Sequence, residues 1–218
     1  LSLALLVGAL GVPRLWPTGS PRRIVRSGLF LMLAGIVVLL GGIDIDASAS
    51  VVAIPMLLLG LGIGTLSSQL GAVTVSAVPT SESGEVGGLQ NTATNLGASI
   101  GTALAGSILI AVLTTTLITG IQASPDVSKA LKDQASVEMA SGVPFLSDDD
   151  LQAALDKADV PEATATAVLE DNRDARVAGL DAALAVLALI AVVSLFFTSR
   201  LPDAAIADDP VPEAAGAA

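Results

Sequence analysis

Long apolar stretches without charge divide the chain into segments that could cross a membrane. Charge-free runs of 17, 35, 40 and 18 residues occupy positions 27–43, 47–81, 86–125 and 182–199, and a shorter apolar run begins the chain. A membrane-spanning helix needs roughly 17 to 25 mostly apolar residues. We therefore predict spanning helices at 27–43, 50–78, 89–118 and 180–199, and a partial spanning helix at 1–12. The predicted fold class is an all-α membrane protein with four full transmembrane helices and one partial one.

The charged residues lie between these stretches and after the last one. They predict a basic loop at 13–26, a Gly-rich loop at 79–88 and a C-terminal tail at 200–218. The segment 119–179 carries 12 of the 21 acidic residues against five basic ones, which predicts a water-exposed loop. Helix-start signals at Ser124-Pro125 and at Ser147, and a third at 159–162, indicate that this acidic loop is helical. We expect the first of these helices to end at Gly142 and Pro144, and the third to continue into the last spanning helix.

Composition excludes several classes of function. Hydrophobic residues make up 52% of the chain and charged residues 14%, whereas soluble domains carry about 25% charged residues. The sequence contains no Cys and no His, the side chains that most often serve as nucleophiles, metal ligands and proton carriers. We interpret Asp148-Asp149-Asp150 as a capped helix start and not as a metal site. We expect no enzyme activity, no cofactor and no nucleic-acid partner.

Orientation follows from the positions of the basic residues. Arg14, Arg22, Arg23 and Arg26 lie between the partial helix and the first full one, and Arg200 follows the last one. Basic residues near helix ends favour the cytoplasmic side. The loops 13–26 and 79–88 and the tail are therefore predicted to be cytoplasmic, and the acidic segment 119–179 extracellular. This arrangement predicts a multi-pass protein of the plasma membrane.

Small and polar residues recur at helical spacing in the two Gly-rich spanning helices. A stripe of small residues lets helix backbones approach closely in lipid. One helix has such a stripe at Gly60 and Gly64, and the next has one at Ala93, Gly97, Gly101 and Ala105. Polar residues fall on other positions of these helices: Thr65, Ser68, Gln69, Gln90, Asn91, Asn95, Ser99 and Thr102. Such side chains face a neighbouring helix or a water-filled cavity. Hydrogen bonds between helices and a substrate pathway both remain open interpretations.

Three parts of this pattern resemble the last helices of a known transporter family. They are Gly60-Leu61-Gly62-Ile63-Gly64, the run from Ser83 to Thr92, and Leu96-Gly97-Ala98-Ser99-Ile100-Gly101. In this order they are similar to the major facilitator superfamily, most of all its fourteen-helix drug:proton antiporter branch. The segment 21–29 resembles the family's basic cytoplasmic loop, with Arg22 and Arg23 at its paired bases. Pro13 and Pro17 stand where that loop would have a glycine and an acidic residue.

The resemblance implies a secondary active transporter that works by alternating access and exports drugs or other small amphipathic molecules in exchange for protons. It implies lipid and a small-molecule substrate as partners. The chain begins at Leu1 inside an apolar run, so we expect a C-terminal fragment whose N-terminal half is missing. The predicted spans lack Asp, Glu, Lys and Arg in their cores, which places the expected proton carrier upstream. An alternative is a membrane-anchored interaction protein that presents its acidic helical segment to an extracellular partner.

Overall fold

The described part of the chain is built from helices alone. The computed structural model describes residues 1–17, 19–42, 49–76, 78–125, 127–129, 132–133, 145–201 and 203. Within these residues the α-helices are α1 (Ser2–Leu15), α2 (Pro21–Gly42), α3 (Ala49–Ser76), α4 (Ser83–Ala123), α5 (Asp148–Lys157) and α6 (Glu162–Phe197). Short 3-10 turns follow at Thr80–Glu82 and Thr198–Arg200.

Four of these helices, α2, α3, α4 and α6, are long and apolar enough to cross a membrane. Helix α1 is apolar but shorter. The predicted all-α fold class, with four full apolar helices and one partial one, is confirmed.

The helices extend beyond the predicted spans. Residues 83–88, predicted to belong to a loop, form the first turns of α4, which is 41 residues long. Their glycines weaken a helix by about 1 kcal/mol each, but no proline interrupts them and Glu85 lies in the first turn, where the helix dipole favours a carboxylate. The stop expected at Pro79 is consistent with the end of α3 at Ser76. A helix and the part of it that crosses a membrane are different lengths, so the predicted spans stay predictions.

Helices extend from both sides into the predicted range of the basic loop, 13–26, which itself stays a prediction. Helix α1 includes Pro13 and ends at Leu15, while α2 begins at Pro21. Proline suits the first position of a helix, where its missing N–H costs no hydrogen bond. Because both helices extend into the range 13–26, only a few residues connect α1 to α2.

The chain divides into two compact units. The first combines Leu1–Gly35, Ala53–Asn95 and Ile190–Ala218, and the second combines Ile36–Val52 and Leu96–Leu189. In the first unit, glycines bring α3 against both α1 and α2. The second unit contains α5, the C-terminal part of α4 and most of α6.

A hydrophobic core holds the second unit together. Leu113, Leu117 and Ile121 lie at intervals of four along α4 and pack with Val168 and Ala175 of α6. Leu151 and Leu155 of α5 pack against the same core. Ser147 caps α5, because its hydroxyl oxygen accepts a hydrogen bond from the Asp150 backbone N–H at 3.1 Å. The predicted start of α5, and the continuation of the third helix into the last apolar stretch, are both confirmed. Most of the helix predicted to begin at Ser124 lies outside the described residues.

Candidate functional site

The polar residues of α3 differ in how their side chains are used. Thr65 is 4% exposed and its hydroxyl donates to the Leu61 carbonyl at 2.7 Å. Ser68 donates in the same way to the Thr65 carbonyl at 2.7 Å. Both hydroxyls are therefore satisfied inside their own helix. The third residue, Gln69, is 9% exposed, and none of the described residues forms a hydrogen bond with its amide.

Gln69 lies in the wall of an apolar cavity in the first unit. The cavity has a volume of about 470 Å³, within the roughly 300–1,000 Å³ typical of small-molecule sites. Its lining comes from α2, from the C-terminal half of α3 and from the residue that follows the last 3-10 turn: Val25, Ile63, Leu66, Ser67, Gln69, Leu70, Val73, Thr74 and Leu201. None of these lining residues is charged.

The predicted polar residues of α4 lie mainly at its surface. Gln90 is half-buried, while Asn91, Asn95, Ser99 and Thr102 are exposed. Asn95 Nδ2 donates to Asn91 Oδ1 at 3.3 Å, so these two amides form a ladder one helical turn apart. The structure thus brings together two of the predicted pathway residues. The pathway role of the whole set stays a prediction.

The small residues of α3 lie at very close helix contacts. A Cβ atom added to Gly60 would lie 2.6 Å from the Leu1 carbonyl oxygen, and one added to Gly64 would overlap the Leu5 carbonyl oxygen. In α4, by contrast, no described residue comes within 4 Å of a Cβ built at Gly97 or Gly101; the neighbouring Ala93 is exposed and Ala105 half-buried. The packing role of the α4 stripe remains a prediction.

A second glycine contact in the first unit was not singled out from the sequence. A Cβ at Gly62 would lie 2.7 Å from the Gly28 carbonyl oxygen, and one at Gly28 would lie 3.1 Å from the Gly62 carbonyl oxygen. These glycines therefore let α2 and α3 meet backbone to backbone. The signal was present as the alternation of Gly60, Gly62 and Gly64, which places small residues on two faces of one helix.

The arginines of the basic loop have different surroundings. Arg22 Nη1 forms an ion pair with Asp203 Oδ2 at 2.6 Å, and its Nε and Nη2 both donate to the Leu201 carbonyl at 2.9 and 2.7 Å. Arg26 Nε donates to Thr198 Oγ1 at 2.8 Å. Arg23 forms no ion pair or hydrogen bond of this kind with the described part of the chain. Asp203 was not among the predicted residues, although it is the first acidic residue after the last apolar stretch.

Ion pairs also organise the acidic segment. Asp148, at the start of α5, accepts hydrogen bonds from Arg173 Nε and Arg176 Nη1 of α6, both at 2.7 Å. The guanidinium of Arg176 also lies 5.3 Å from the ring centre of Phe145, a distance that favours a cation–π contact. Asp148, at this acidic start of a helix, is therefore paired with two arginines. Within the described residues, no group of three or more potential ligands is placed to hold a metal ion.

One carboxylate of this segment is held in an unfavourable environment. Asp171 belongs to the acidic segment 119–179, outside the predicted spans. Its carboxylate occupies the space beside Gly120 of α4. Its Oδ2 is buried, with no hydrogen-bond partner among the described residues. Burial, and then the negative charges of Asp174 and Glu170, raise the pKa of Asp171 above its ordinary value of 3.8. Folding therefore shifts this side chain towards its protonated form relative to the unfolded chain.

Comparison with known proteins links the chain to an efflux pump. It is similar to "Multidrug efflux pump LfrA" of Mycolicibacterium smegmatis (strain ATCC 700084 / mc(2)155), with 29% identity over 199 residues. The similarity covers 88% of this chain and 36% of the pump, so the chain spans about a third of the length of this curated relative. No protein-family model matches the chain, and no solved structure matches it either. Together with the four apolar helices, the similarity indicates a membrane protein.

Proposed function

We propose that this chain is the C-terminal part of a secondary active transporter that exports small amphipathic molecules. The observation that carries the proposal is the similarity to a multidrug efflux pump over 88% of the chain. The apolar cavity beside Gln69 is compatible with it, because an uncharged and mainly aliphatic wall suits a substrate that is mostly apolar. The transporter would belong to the major facilitator superfamily, in its drug:proton antiporter branch, and lie in the plasma membrane.

In this proposal the chain works together with further spanning helices, in keeping with the 36% of the pump that the similarity covers. Two helical halves would expose a central site alternately to each side of the membrane. Coupling to protons normally uses an ionisable side chain inside the membrane. The predicted spans have none in their cores, so the proton carrier would be supplied by the other helices.

The test is dye export from cells that express the whole reading frame containing this chain. An efflux-deficient bacterial host is loaded with the neutral dye Nile red, then energised with glucose, and the loss of fluorescence is followed with time. Cells with the protein should lose dye faster than cells with the empty vector, and a protonophore should abolish the difference. Equal rates in the two strains, with the protein present in the membrane fraction, would contradict the transport proposal.

The second candidate is a membrane-anchored interaction protein. The observation in its favour is the folded second unit, where a hydrophobic core and two ion pairs to Asp148 hold α5 against α6. A transporter does not need a stable structured segment between two spanning helices, whereas a binding protein does. Absence of dye export, together with proteolytic resistance of the 145–179 segment in intact membranes, would favour this second candidate.

A further inference from the structure

A groove in the first unit combines an apolar wall with one arginine. It has a volume of about 480 Å³ and lies between the start of α2 and the end of α6, so we call it the α2–α6 groove. Its lining residues are Arg26, Phe30, Val192, Leu195, Phe196 and Ser199. Phe30 and Phe196 are themselves 59% and 75% exposed. The groove is therefore open to the surroundings of the helices.

The α2–α6 groove crosses the border between charged and apolar parts of the chain. Arg26 is the last charged residue before the charge-free stretch 27–43, and Ser199 ends the charge-free stretch 182–199. From Ser199 back to Val192 the groove follows the chain for roughly 10 Å. Both α2 and α6 are long and apolar enough to cross a membrane. We therefore expect the Arg26 end of the groove at the level of the lipid headgroups and the Val192 end among the acyl chains.

The guanidinium of Arg26 is oriented by one hydrogen bond, which leaves its terminal nitrogens available. Arg26 Nε donates to Thr198 Oγ1 at 2.8 Å. Thr198 is 3% exposed, and its own hydroxyl donates to the Leu195 carbonyl at 2.6 Å. Within the described residues, Arg26 has no carboxylate partner and its Nη1 and Nη2 have no acceptor. These two nitrogens can therefore bind an anion from outside the chain.

An acidic phospholipid matches both parts of the groove. A guanidinium can bind two phosphate oxygens at once, and an apolar wall suits an acyl chain. No lining residue is acidic, so the groove offers no partner for the ammonium of a choline or ethanolamine headgroup. Basic pockets between spanning helices bind acidic headgroups in this way. The charge of the groove thus favours a phospholipid with a net negative charge, such as phosphatidylglycerol.

We propose that the α2–α6 groove binds one acidic phospholipid, with the phosphate on Nη1 and Nη2 of Arg26 and an acyl chain along Phe30, Leu195 and Phe196. Thr198 is a positioning residue, because it orients the guanidinium from a buried position. A lipid bound in this way contacts both helices and strengthens the contact between the start of α2 and the end of α6. The inference requires a membrane, but it does not depend on which molecule the protein exports.

Lipid binding can be tested by quenching of an introduced tryptophan. Trp16 is the only tryptophan of the chain, so Trp16→Phe gives a background without one. In that background Phe196→Trp places a reporter in the groove, called here the groove reporter. Ile54→Trp places one at a 62% exposed position of α3, called here the outer reporter. The full chain is reconstituted in vesicles of equal parts phosphatidylglycerol and phosphatidylcholine, and either one or the other lipid carries bromine on its acyl chains.

This design keeps the charge of the membrane constant and changes only the lipid that quenches. We expect the groove reporter to show about a fivefold preference for phosphatidylglycerol, as expected for one arginine near a membrane surface. The outer reporter should show no preference. Equal quenching of the groove reporter by the two brominated lipids would overturn the proposal. Quenching of the outer reporter alone would also overturn it, because the groove would then be covered by protein.

Variants in the groove-reporter background test the role of Arg26. Arg26→Gln removes the charge and should abolish the preference, whereas Arg26→Lys keeps the charge without the paired donors and should retain about a twofold preference. Arg14→Gln removes the same charge from an exposed position in α1 and should have no effect. A preference that survives Arg26→Gln, or that Arg14→Gln reduces equally, would overturn the assignment to this groove.

A further variant keeps the test decisive if Arg26→Gln disturbs folding, which far-ultraviolet circular dichroism would show. Ser199 is exposed, and its hydroxyl donates only to the Phe196 carbonyl of its own turn, at 2.9 Å. Ser199→Asp adds a negative charge at the headgroup end of the groove and leaves the bond between Arg26 and Thr198 in place. It should abolish the preference for phosphatidylglycerol, and an unchanged preference in this variant would overturn the proposal.

Discussion

The stability of the first unit should depend on the glycines of α3, and a pair of matched variants tests this. Gly64→Ala adds one methyl group where α3 meets α1, and Gly101→Ala adds the same group to α4. Both glycines lie in the middle of apolar helices and both belong to predicted small-residue stripes. Only their surroundings differ.

The expected magnitudes follow from what the new methyl group would touch. At Gly64 it would overlap the Leu5 carbonyl oxygen and lie 2.8 Å from the Ala9 nitrogen, well inside the ~3.5 Å of an ordinary contact. These atoms are backbone, so relief requires α1 to move away from α3. Overpacking of this kind costs about 1–3 kcal/mol. At Gly101 no described residue lies within 4 Å, and alanine should stabilise the helix by up to about 1 kcal/mol.

The single tryptophan makes the assay specific to α1. Trp16 is the C-cap of α1 and lines a small cavity together with Arg23 and Ile24 of α2, so we expect its fluorescence to change when α1 moves away from its neighbours. The purified chain in a mild detergent is titrated with sodium dodecyl sulfate, and Trp16 emission and far-ultraviolet circular dichroism are recorded together. Gly64→Ala should move the fluorescence transition to lower denaturant, while Gly101→Ala should leave it unchanged or move it upward.

A particular pattern would refute this reasoning. If both variants shift the transition equally, the close contact between α1 and α3 does not control stability. Gly60→Ala provides a check on the same contact, because its Cβ would lie 2.6 Å from the Leu1 carbonyl oxygen and 2.7 Å from Ala4 Cβ. It should behave like Gly64→Ala.

Three further predictions concern the second unit, and each is read from chemical or thermal unfolding of the purified chain. Because folding raises the pKa of Asp171, the contribution of this residue to the free energy of unfolding should fall as pH rises above about 4. Asp171→Asn should therefore be more stable than the unchanged chain at pH 7, and loss of stability there would contradict the assignment. Asp148→Asn should destabilise the unit by about 1 kcal/mol through its two partly exposed ion pairs, and Arg173→Gln should add little once Asp148 is replaced. Asn172 is 2% exposed and its Nδ2 has no hydrogen-bond partner among the described residues, so Asn172→Leu should raise the free energy of unfolding by about 1 kcal/mol; a lowered value would show that the amide is satisfied.

The apolar pattern predicted the helices well because helix formation in an apolar run is a local property. Four charge-free stretches correspond to the four long helices, and the local signal of Ser147 followed by Asp150 predicted the start of α5. Helix ends were predicted less well. Glycine lowers helix stability by only about 1 kcal/mol, so Gly84, Gly87 and Gly88 did not prevent the first turns of α4 from forming. Proline also removes a backbone donor, and Pro79 is compatible with the end of α3 at Ser76.

Contacts between distant parts of the chain could not be predicted from local pattern. The basic loop identified Arg22 as a charged residue near a membrane surface, but its partner Asp203 lies 181 positions away. No spacing rule connects two such residues, because their proximity depends on how α2 and the end of α6 come together. The same holds for Gln69: helical spacing placed it with Thr65 and Ser68, and only the structure distinguishes the amide that faces a cavity from the hydroxyls that bond to their own helix.

The two small-residue stripes illustrate the limit of this kind of sequence evidence. A stripe determines how closely another helix can approach, and it carries no information about which helix does so. Gly60 and Gly64 have α1 as their neighbour, and any side chain larger than hydrogen would push it away. Gly97 and Gly101 carry the same signal without a neighbour in the described part of the chain. In the proposed transporter these α4 glycines would pack against helices outside this chain, so Gly101→Ala should be harmless in the isolated chain and should reduce dye export by the whole transporter. If that variant exported dye at an unchanged rate, the α4 stripe would not be a close helix contact, and only the stripe of α3 would have a packing role.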